Sequence, residues 1–475
     1  MRDGGREGCA ADTSSAAQAW EKRPVTAVLL ARLQFALAVG FHFLFPPLTF
    51  GLSLAIVVLE TIHLRTAHEV VRRTVDFLVR VLGLVFVLGT ATGITLEFSF
   101  GTNWSQYARF VGDIFGAPLA AEGVFAFFLE SVFLGVLVFA RGRVAPKMYW
   151  LAAFLVFFGA HLSGLWIIIA NSWMQTPAGF AIEGGRAVLT DFWAAAINRS
   201  TVIRFVHTVA AGWITGALFV AGVAAYYLLK GRHREEAGLM LRVALPVFIV
   251  VSVAQVLLGH QHSVQVARTQ PEKLAAFEAL WEGRSRAPLA LFGFPVASEQ
   301  RTLLYVGIPG LLSWLVHGDV AGRIPGLAEF PPEERPPVFL PFVSYHIMIA
   351  LGFFFVALAV AGLVLMARRR VHQTRWFLWA LLVAVPLPHL ANEFGWIAAE
   401  VGRQPWAVYR VLKTAEAVSP VVTRGQVLLS LVVFAAIYAL IFAVFLRILV
   451  ALIKRGPTAP GLAARKVQAR GVGDG

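Results

Sequence analysis

The stretch Phe342-Val-Ser-Tyr-His-Ile-Met-Ile-Ala-Leu-Gly-Phe-Phe-Phe-Val-Ala-Leu-Ala-Val-Ala-Gly-Leu-Val-Leu-Met366 contains no Asp, Glu, Lys or Arg. As a helix it would extend about 37 Å, more than the roughly 30 Å hydrocarbon core of a bilayer. Its apolar residues are continuous rather than alternating, and a chain in lipid must satisfy its backbone groups internally, so helix is preferred to strand. The whole chain has the same character. Its 475 residues are 58% hydrophobic and 14% charged, with a mean hydropathy of +0.71. A soluble domain is about 45–50% apolar and about 25% charged. That excludes a disordered chain, a coiled coil and an ordinary cytosolic enzyme. The expected fold is all-α, a polytopic membrane helix bundle.

Nine such runs recur, at about 29–59, 78–98, 119–140, 149–170, 205–229, 243–258, 342–366, 377–399 and 427–453. The sixth is short and carries Pro246; the first and last exceed what a span needs. Alternate connections are basic: Arg65, Arg72 and Arg73; Arg141, Arg143 and Lys147; Lys230, Arg232 and Arg234; Arg368, Arg369, Arg370 and Arg375; Lys454 and Arg455. The other connections mix in acids such as Asp113, Glu183 and Asp191. The positive-inside rule then predicts a multi-pass protein with its N-terminus outside and its C-terminus in the cytoplasm. The net charge of +14 is read as these anchors rather than as a nucleic-acid surface. Cys9 is the single cysteine, which excludes an internal disulfide and a CxxCH haem attachment. The stretch Met1 to Arg23 lacks an apolar core and does not read as a signal peptide.

These runs divide the chain into a polar N-terminal extension (1–27), six spans (28–258), a long outer-side connection (259–341), three further spans (342–455) and a cytoplasmic tail (456–475). The long connection holds Pro331, Pro332, Pro336 and Pro337 and a helical-looking piece, Gln270-Pro-Glu-Lys-Leu-Ala-Ala-Phe-Glu-Ala-Leu-Trp281. Connections of this length are usually functional or disordered.

Ionisable residues inside spans are costly and point to function. Those singled out here, in the spans or at their ends, are His42, Glu97, Glu122, Glu130, His207, Glu393 and Glu400, with Met348 beside them. On ideal helices Glu393 and Glu400 share a face within about 20°, and Glu122 and Glu130 lie about 80° apart. Each residue alone has a structural reading: an interhelical hydrogen bond for a histidine, core filling for Met348, a water-facing end for a glutamate. As a set in a wall rich in Phe and Trp they suit haem, whose iron takes His or Met as axial ligand. A proton-coupled transporter remains open at this point.

The strings Arg32-Leu-Gln-Phe35, His42-Phe-Leu-Phe45, Gly101-Thr-Asn-Trp104, Gly112-Asp-Ile-Phe-Gly-Ala-Pro118, Phe127-Phe-Leu-Glu130, Asn171-Ser-Trp-Met-Gln175, Phe205-Val-His-Thr208 and Gly402-Arg-Gln-Pro-Trp406 occur in this order. Together they resemble subunit I of the cytochrome bd-type quinol oxidases, over about residues 28 to 455. The compact 259–341 connection resembles the short-loop, cyanide-insensitive-like branch.

The resemblance implies two haem b groups, one low-spin and one high-spin, and one haem d. It implies His207 and Met348 as the axial ligands of the low-spin haem b, and His42 and Glu393 as ligands of the other two haems. Lys273 and Glu278 match quinol-site residues, and a carboxylate beside a quinol hydroxyl is a sensible proton acceptor. Five apart on a helix, those two residues would lie about 140° apart. Arg403, with Trp406, matches a segment that steadies haem propionates or the quinone. Glu122 and Glu130 match acids near the oxygen-reducing pair and on the proton route. The implied activity is oxidation of quinol by dioxygen without proton pumping. The implied partners are a second large membrane subunit (subunit II) and, in some family members, small single-span subunits, and the implied location is a prokaryotic cytoplasmic membrane.

Two positions depart from the family pattern: His346 stands where Arg is usual, and His389 where Trp is usual. They keep an alternative in view, a haem b electron carrier or sensor that no longer oxidises quinol. His161, His260 and His262 read as structural or interfacial.

Overall fold

A computed structural model describes residues 26–457; the expected polar extension and cytoplasmic tail fall almost wholly outside them. Among the described residues nine helices are long and apolar enough to cross a membrane. The fifth, Thr201–Leu229, is the central one: 83% of its most apolar window is buried, against 11% for the ninth, Arg424–Arg455. Small residues permit this. A Cβ added to Gly51 would lie 2.4 Å from the Cα of Gly216, so the second half of the first span meets the fifth backbone to backbone.

Several spans are interrupted where the sequence suggested one smooth run. The first consists of Ala27–Phe43 and Pro46–Thr66. Pro46 and Pro47 cannot donate the amide bonds of a continuing helix but suit the first turn of a new one. The third consists of Ser105–Ala121 and Phe128–Phe139, joined by a π-helical segment at Glu122–Phe127. The eighth breaks between Arg375–Val383 and Leu387–Val401, around Pro386. The sixth corrects the expected boundary: it runs from Arg234 to Thr269, not to Leu258. Its last eleven residues, Gly259-His-Gln-His-Ser-Val-Gln-Val-Ala-Arg-Thr269, are too polar to register as a span but continue the helix.

The connection after the sixth span is folded. A short helix, Pro271–Phe277, packs against the sixth and seventh spans, and an antiparallel hairpin pairs Leu289–Val296 with Arg301–Ile308. The helix expected over 270–281 ends at Phe277, and Ala279 beyond it takes a left-handed φ of 48°. At the opposite end of the bundle Arg141 holds both Glu60 and Asp76, and Arg73 meets Glu236 at 3.0 Å. These pairs tie the first, second, third and sixth spans together.

Candidate functional site

A cavity of about 500 Å³ opens among the fifth, sixth, seventh and eighth spans. His207, Met348, Lys273, Arg204, His262 and Trp396 are among its lining residues. The fifth span brings His207 and the seventh brings Met348, 141 positions apart in the chain, to one largely apolar space. Nδ1 of His207 is buried without a hydrogen-bond partner, and Nε2 lies 3.4 Å from Nε2 of Gln255. A Cβ at Gly395 would come within 3.0 Å of the Met348 sulfur, so glycine there leaves the thioether its room. His260 and His262 line the same cavity, and the rings of His207 and His262 meet edge to face at 5.3 Å. Sequence reading had given these two no functional place.

At one end of the cavity lies a buried charge cluster that the sequence did not reveal. Its hub is Glu400. Nη2 of Arg403 donates to Glu400 at 2.6 Å, and Arg204 stands 3.9 Å from the same carboxylate. Asn171 and Gln175, one helical turn apart, donate to it at 3.1 and 3.0 Å. Two guanidinium groups thus face one carboxylate, while Nε and Nη1 of Arg403 and Nε of Arg204 have no partner and are buried. Unpaired buried N–H donors and surplus positive charge are costly unless an anion meets them. Trp406 is also buried, with its indole N–H unpartnered. The sequence had offered Glu400 as an intramembrane acid and Arg403 through the resemblance; the three-residue spacing of Arg204 and His207, which puts both on one helical face, is the signal that could have added Arg204.

Lys273 and Glu278 are buried, 2% and 1% exposed, and are not the solvated loop charges that composition alone would suggest. Nζ of Lys273 donates to the side-chain oxygens of Gln175 and Gln270, each at 2.7 Å. Burial, with Arg204 adding its charge, holds the Lys273 ammonium well below its ordinary pKa. Glu278 accepts the amide of Ala290 at 2.8 Å through Oε2, while Oε1 is buried without a partner. Burial pushes its carboxyl up to about 8, against the pull of that amide. His346 connects to the same strand: Nδ1 faces the Phe342 carbonyl at 2.8 Å and Nε2 the Ala290 carbonyl at 2.9 Å.

The remaining intramembrane residues form a second locality. Nδ1 of His42 lies 2.9 Å from the Thr92 hydroxyl, which itself donates to the Leu88 carbonyl at 2.7 Å. Because the hydroxyl proton is used there, Thr92 accepts from His42 Nδ1–H, leaving the Nε2 lone pair available to a metal. Glu393 approaches Gly40, whose added Cβ would sit 3.1 Å from Glu393 Oε2, and its Oε1 is buried without a partner. His389, one turn from Glu393, has an unpartnered buried Nδ1. His161 differs: Phe157 and Trp213 occupy both ring nitrogens, at 2.7 and 2.9 Å.

The π-helical segment alters the expected relation of Glu122 and Glu130, since the 80° estimate assumed an unbroken α-helix. Both now face the fourth span, Pro146–Gln175. Glu122 accepts from Ser163 at 2.7 Å, and Glu130 packs at Gly159, one turn away, with Oε1 unpartnered. Glu97 lies on an exposed face of the second span.

Among the described residues no three His, Cys, Asp or Glu side chains converge as a bare metal site would require. Single His, Met or Glu donors facing apolar space suit instead iron carried in a macrocycle. An apolar cavity with one His and one Met on its wall and unpaired guanidinium groups at its end fits haem, an apolar disc with acidic substituents.

These features define a multi-pass membrane protein fitted for buried redox groups. Residues 30–457 match the family described as cytochrome bd terminal oxidase subunit I. The cytochrome bd ubiquinol oxidase subunit 1 of Bacillus subtilis (strain 168) is 37% identical over 440 residues, covering 90% of this chain and 94% of that protein. The cytochrome bd-II ubiquinol oxidase subunit 1 of Escherichia coli (strain K12) is 34% identical, covering 90% and 97%. The solved bd oxidase from Geobacillus thermodenitrificans superposes with a TM-score of 0.83 at 30% identity, covering 90% of this chain and 98% of that one. The chain belongs to the cytochrome bd terminal oxidase subunit I family.

Proposed function

We propose that this chain is the haem-bearing subunit of a quinol:oxygen oxidoreductase, in which two quinols and one dioxygen give two quinones and two waters. The observation that carries the proposal is the sharing of one buried cavity by His207, Met348 and Lys273, with Glu278 buried just beyond Lys273 on the same segment. His207 and Met348 would hold the low-spin haem b; His42 and Glu393 would hold the high-spin haem b and haem d. Bound haem supplies one-electron transfer at the first site and an iron position for dioxygen at the second. Arg403 and Arg204, each with unpaired N–H groups, would bind the acidic edge of the first haem, with Trp406 beside them.

Glu278 would accept a proton from the quinol hydroxyl. Its free Oε1 and raised pKa suit a group that takes up a proton near neutral pH. Lys273, fixed by two glutamine oxygens, would orient the quinol oxygen. Glu130 and Glu122 would carry protons inward from the basic, cytoplasmic side. Protons leave on the outer side and enter on the inner side, so a gradient forms without pumping. The 259–341 connection lies outside in this reading, and the arginine-rich connections lie inside. The subunit II partner would cover part of the apolar surface that the third and ninth spans leave open, with small single-span subunits beside it. Lipid covers the remainder.

The test is quinol-dependent oxygen uptake by membranes containing the intact complex. Uptake that is lost in Glu278→Ala supports the proposal; no uptake from a fully assembled complex overturns it.

A further inference from the structure

The hairpin Leu289–Val296/Arg301–Ile308 is apolar; its first strand buries Ala290, Gly293 and Pro295, and the rest of its surface is largely open. Leu303, Leu304, Tyr305 and Val306 are consecutive and all exposed, Leu304 to 73%. Leu304 takes a left-handed φ of 49° at a bulge; beyond it Tyr305 and Val306, successive residues that point to opposite faces, are both exposed, so the second strand is open on both sides there. Leu291 and Phe292 on the paired strand are exposed as well. Charge is confined to the two ends. Glu299 and Arg301 pair at the turn, and the exposed Arg284 and Arg286 lie before the first strand. An apolar hairpin this exposed in water would be an aggregation template.

Its depth follows from its anchorage. The Ala290 carbonyl is bonded to His346 in the seventh span, Phe339–Ala367. Arg368, Arg369 and Arg370 mark the other end of that helix. Counting about 20 residues outward from Ala367, the length of a hydrocarbon crossing, reaches Met348. His346 and Ala290 therefore stand at the hydrocarbon edge. The lipid-facing surface of the same helix continues past them through the exposed Phe339 and Leu340, and Trp314, 52% exposed, follows the hairpin in the chain. Trp314 sits on the short helix Leu311–His317, which packs on the Leu289–Val296 strand, and an exposed Trp there suits a membrane interface.

We propose that this hairpin lies in the outer boundary of the bilayer, with acyl chains as the occupant of its exposed surface, and that it is the surface along which a long-tailed quinol leaves the lipid for Glu278. The second clause rests on the quinol-site reading above. The hairpin's own amide, at Ala290, holds the Glu278 carboxylate, so the lipid-immersed element and the proton acceptor are one hydrogen bond apart.

The test uses the full complex in nanodiscs of phosphatidylcholine and phosphatidylglycerol. Spin labels are placed at Leu291→Cys and Leu304→Cys in a Cys9→Ser background. Collision with dissolved oxygen should exceed collision with a water-soluble nickel chelate at both sites. Dominance of the chelate, or exclusion of both reagents by a covering protein, would overturn the lipid assignment. In parallel, Leu304→Asp, which tolerates the φ of 49° there, should raise the KM for a long-tailed quinol about five-fold while leaving that for a short-tailed quinol unchanged. An equal change for both quinols, or none for either, would overturn the delivery route. A failure of the quinol site itself is seen separately, as a Glu278→Gln variant with undiminished short-tailed quinol turnover.

Discussion

Lys273 and Glu278 lie five residues apart in one buried segment and share no ion pair. The amine is fixed by Gln175 and Gln270, and the carboxylate by the Ala290 amide. Each therefore meets a substrate as an independent group, an amine of lowered basicity and an acid of raised pKa.

The raised pKa of Glu278 sets a pH dependence. If Glu278 must be ionised to take the quinol proton, kcat/KM for quinol should climb as pH rises through about 8 and then level off. Stability moves the other way. Between the ordinary value of 4.5 and about 8 the folded state binds the proton that the unfolded state has released, so this group's contribution to stability falls as pH rises through that window. Glu278→Gln should remove both trends, measured as a pH–rate profile and as the melting temperature of the purified complex against pH.

Two glycines separate the two localities proposed for haem. Gly395→Ala would put a Cβ 3.0 Å from the Met348 sulfur, and Gly93→Ala would put one 3.2 Å from His42 Cε1. The first should shift the low-spin haem b bands and leave the high-spin bands in place. The second should do the reverse. Visible difference spectra of the two variants check this, each serving as the control for the other.

If His207 holds haem as proposed, Arg204 should tune it. Replacing this buried cation with Gln removes a positive charge that favours the reduced state. The low-spin haem midpoint potential should fall by about 40 mV, the one-electron equivalent of about 1 kcal/mol. A redox titration followed at the haem b band measures it.

Gly51→Ala tests the packing at the centre of the bundle. Its Cβ would overlap the backbone at Gly216, so the first and fifth spans must separate. Overpacking of this kind costs about 1–3 kcal/mol or more. Reduced yield and a lower melting temperature of the complex are the expected outcome. Gly112→Ala, with nothing within 4 Å of the added Cβ, should leave both unchanged.

The nine spans were legible because lipid demands continuous apolar runs, and 342–366 or 427–453 admits no other reading. The sixth span was misjudged at one end because residues 259–269 are polar, and a helix whose polar end lines a cavity does not differ in hydropathy from a loop. The π-helical turn at Glu122–Phe127 left no signal in the pattern, yet it decides how Glu122 and Glu130 face the fourth span. His207 and Met348 could be singled out only as rare polar or sulfur-bearing residues in apolar helices, since their meeting depends on tertiary packing. The Glu400 hub was hidden for the same reason: Asn171 and Gln175 reach it from more than two hundred residues away. Burial of Lys273 and Glu278 was equally out of reach, because a short charged helix looks solvated until its neighbours are known.

On the proposed function this chain holds three haems, two of type b and one chlorin. A reduced-minus-oxidised visible spectrum of the purified complex tests it most directly. Haem b bands together with a far-red chlorin band are expected, with the low-spin component lost in His207→Ala. A complex that purifies intact without any haem absorbance would contradict it.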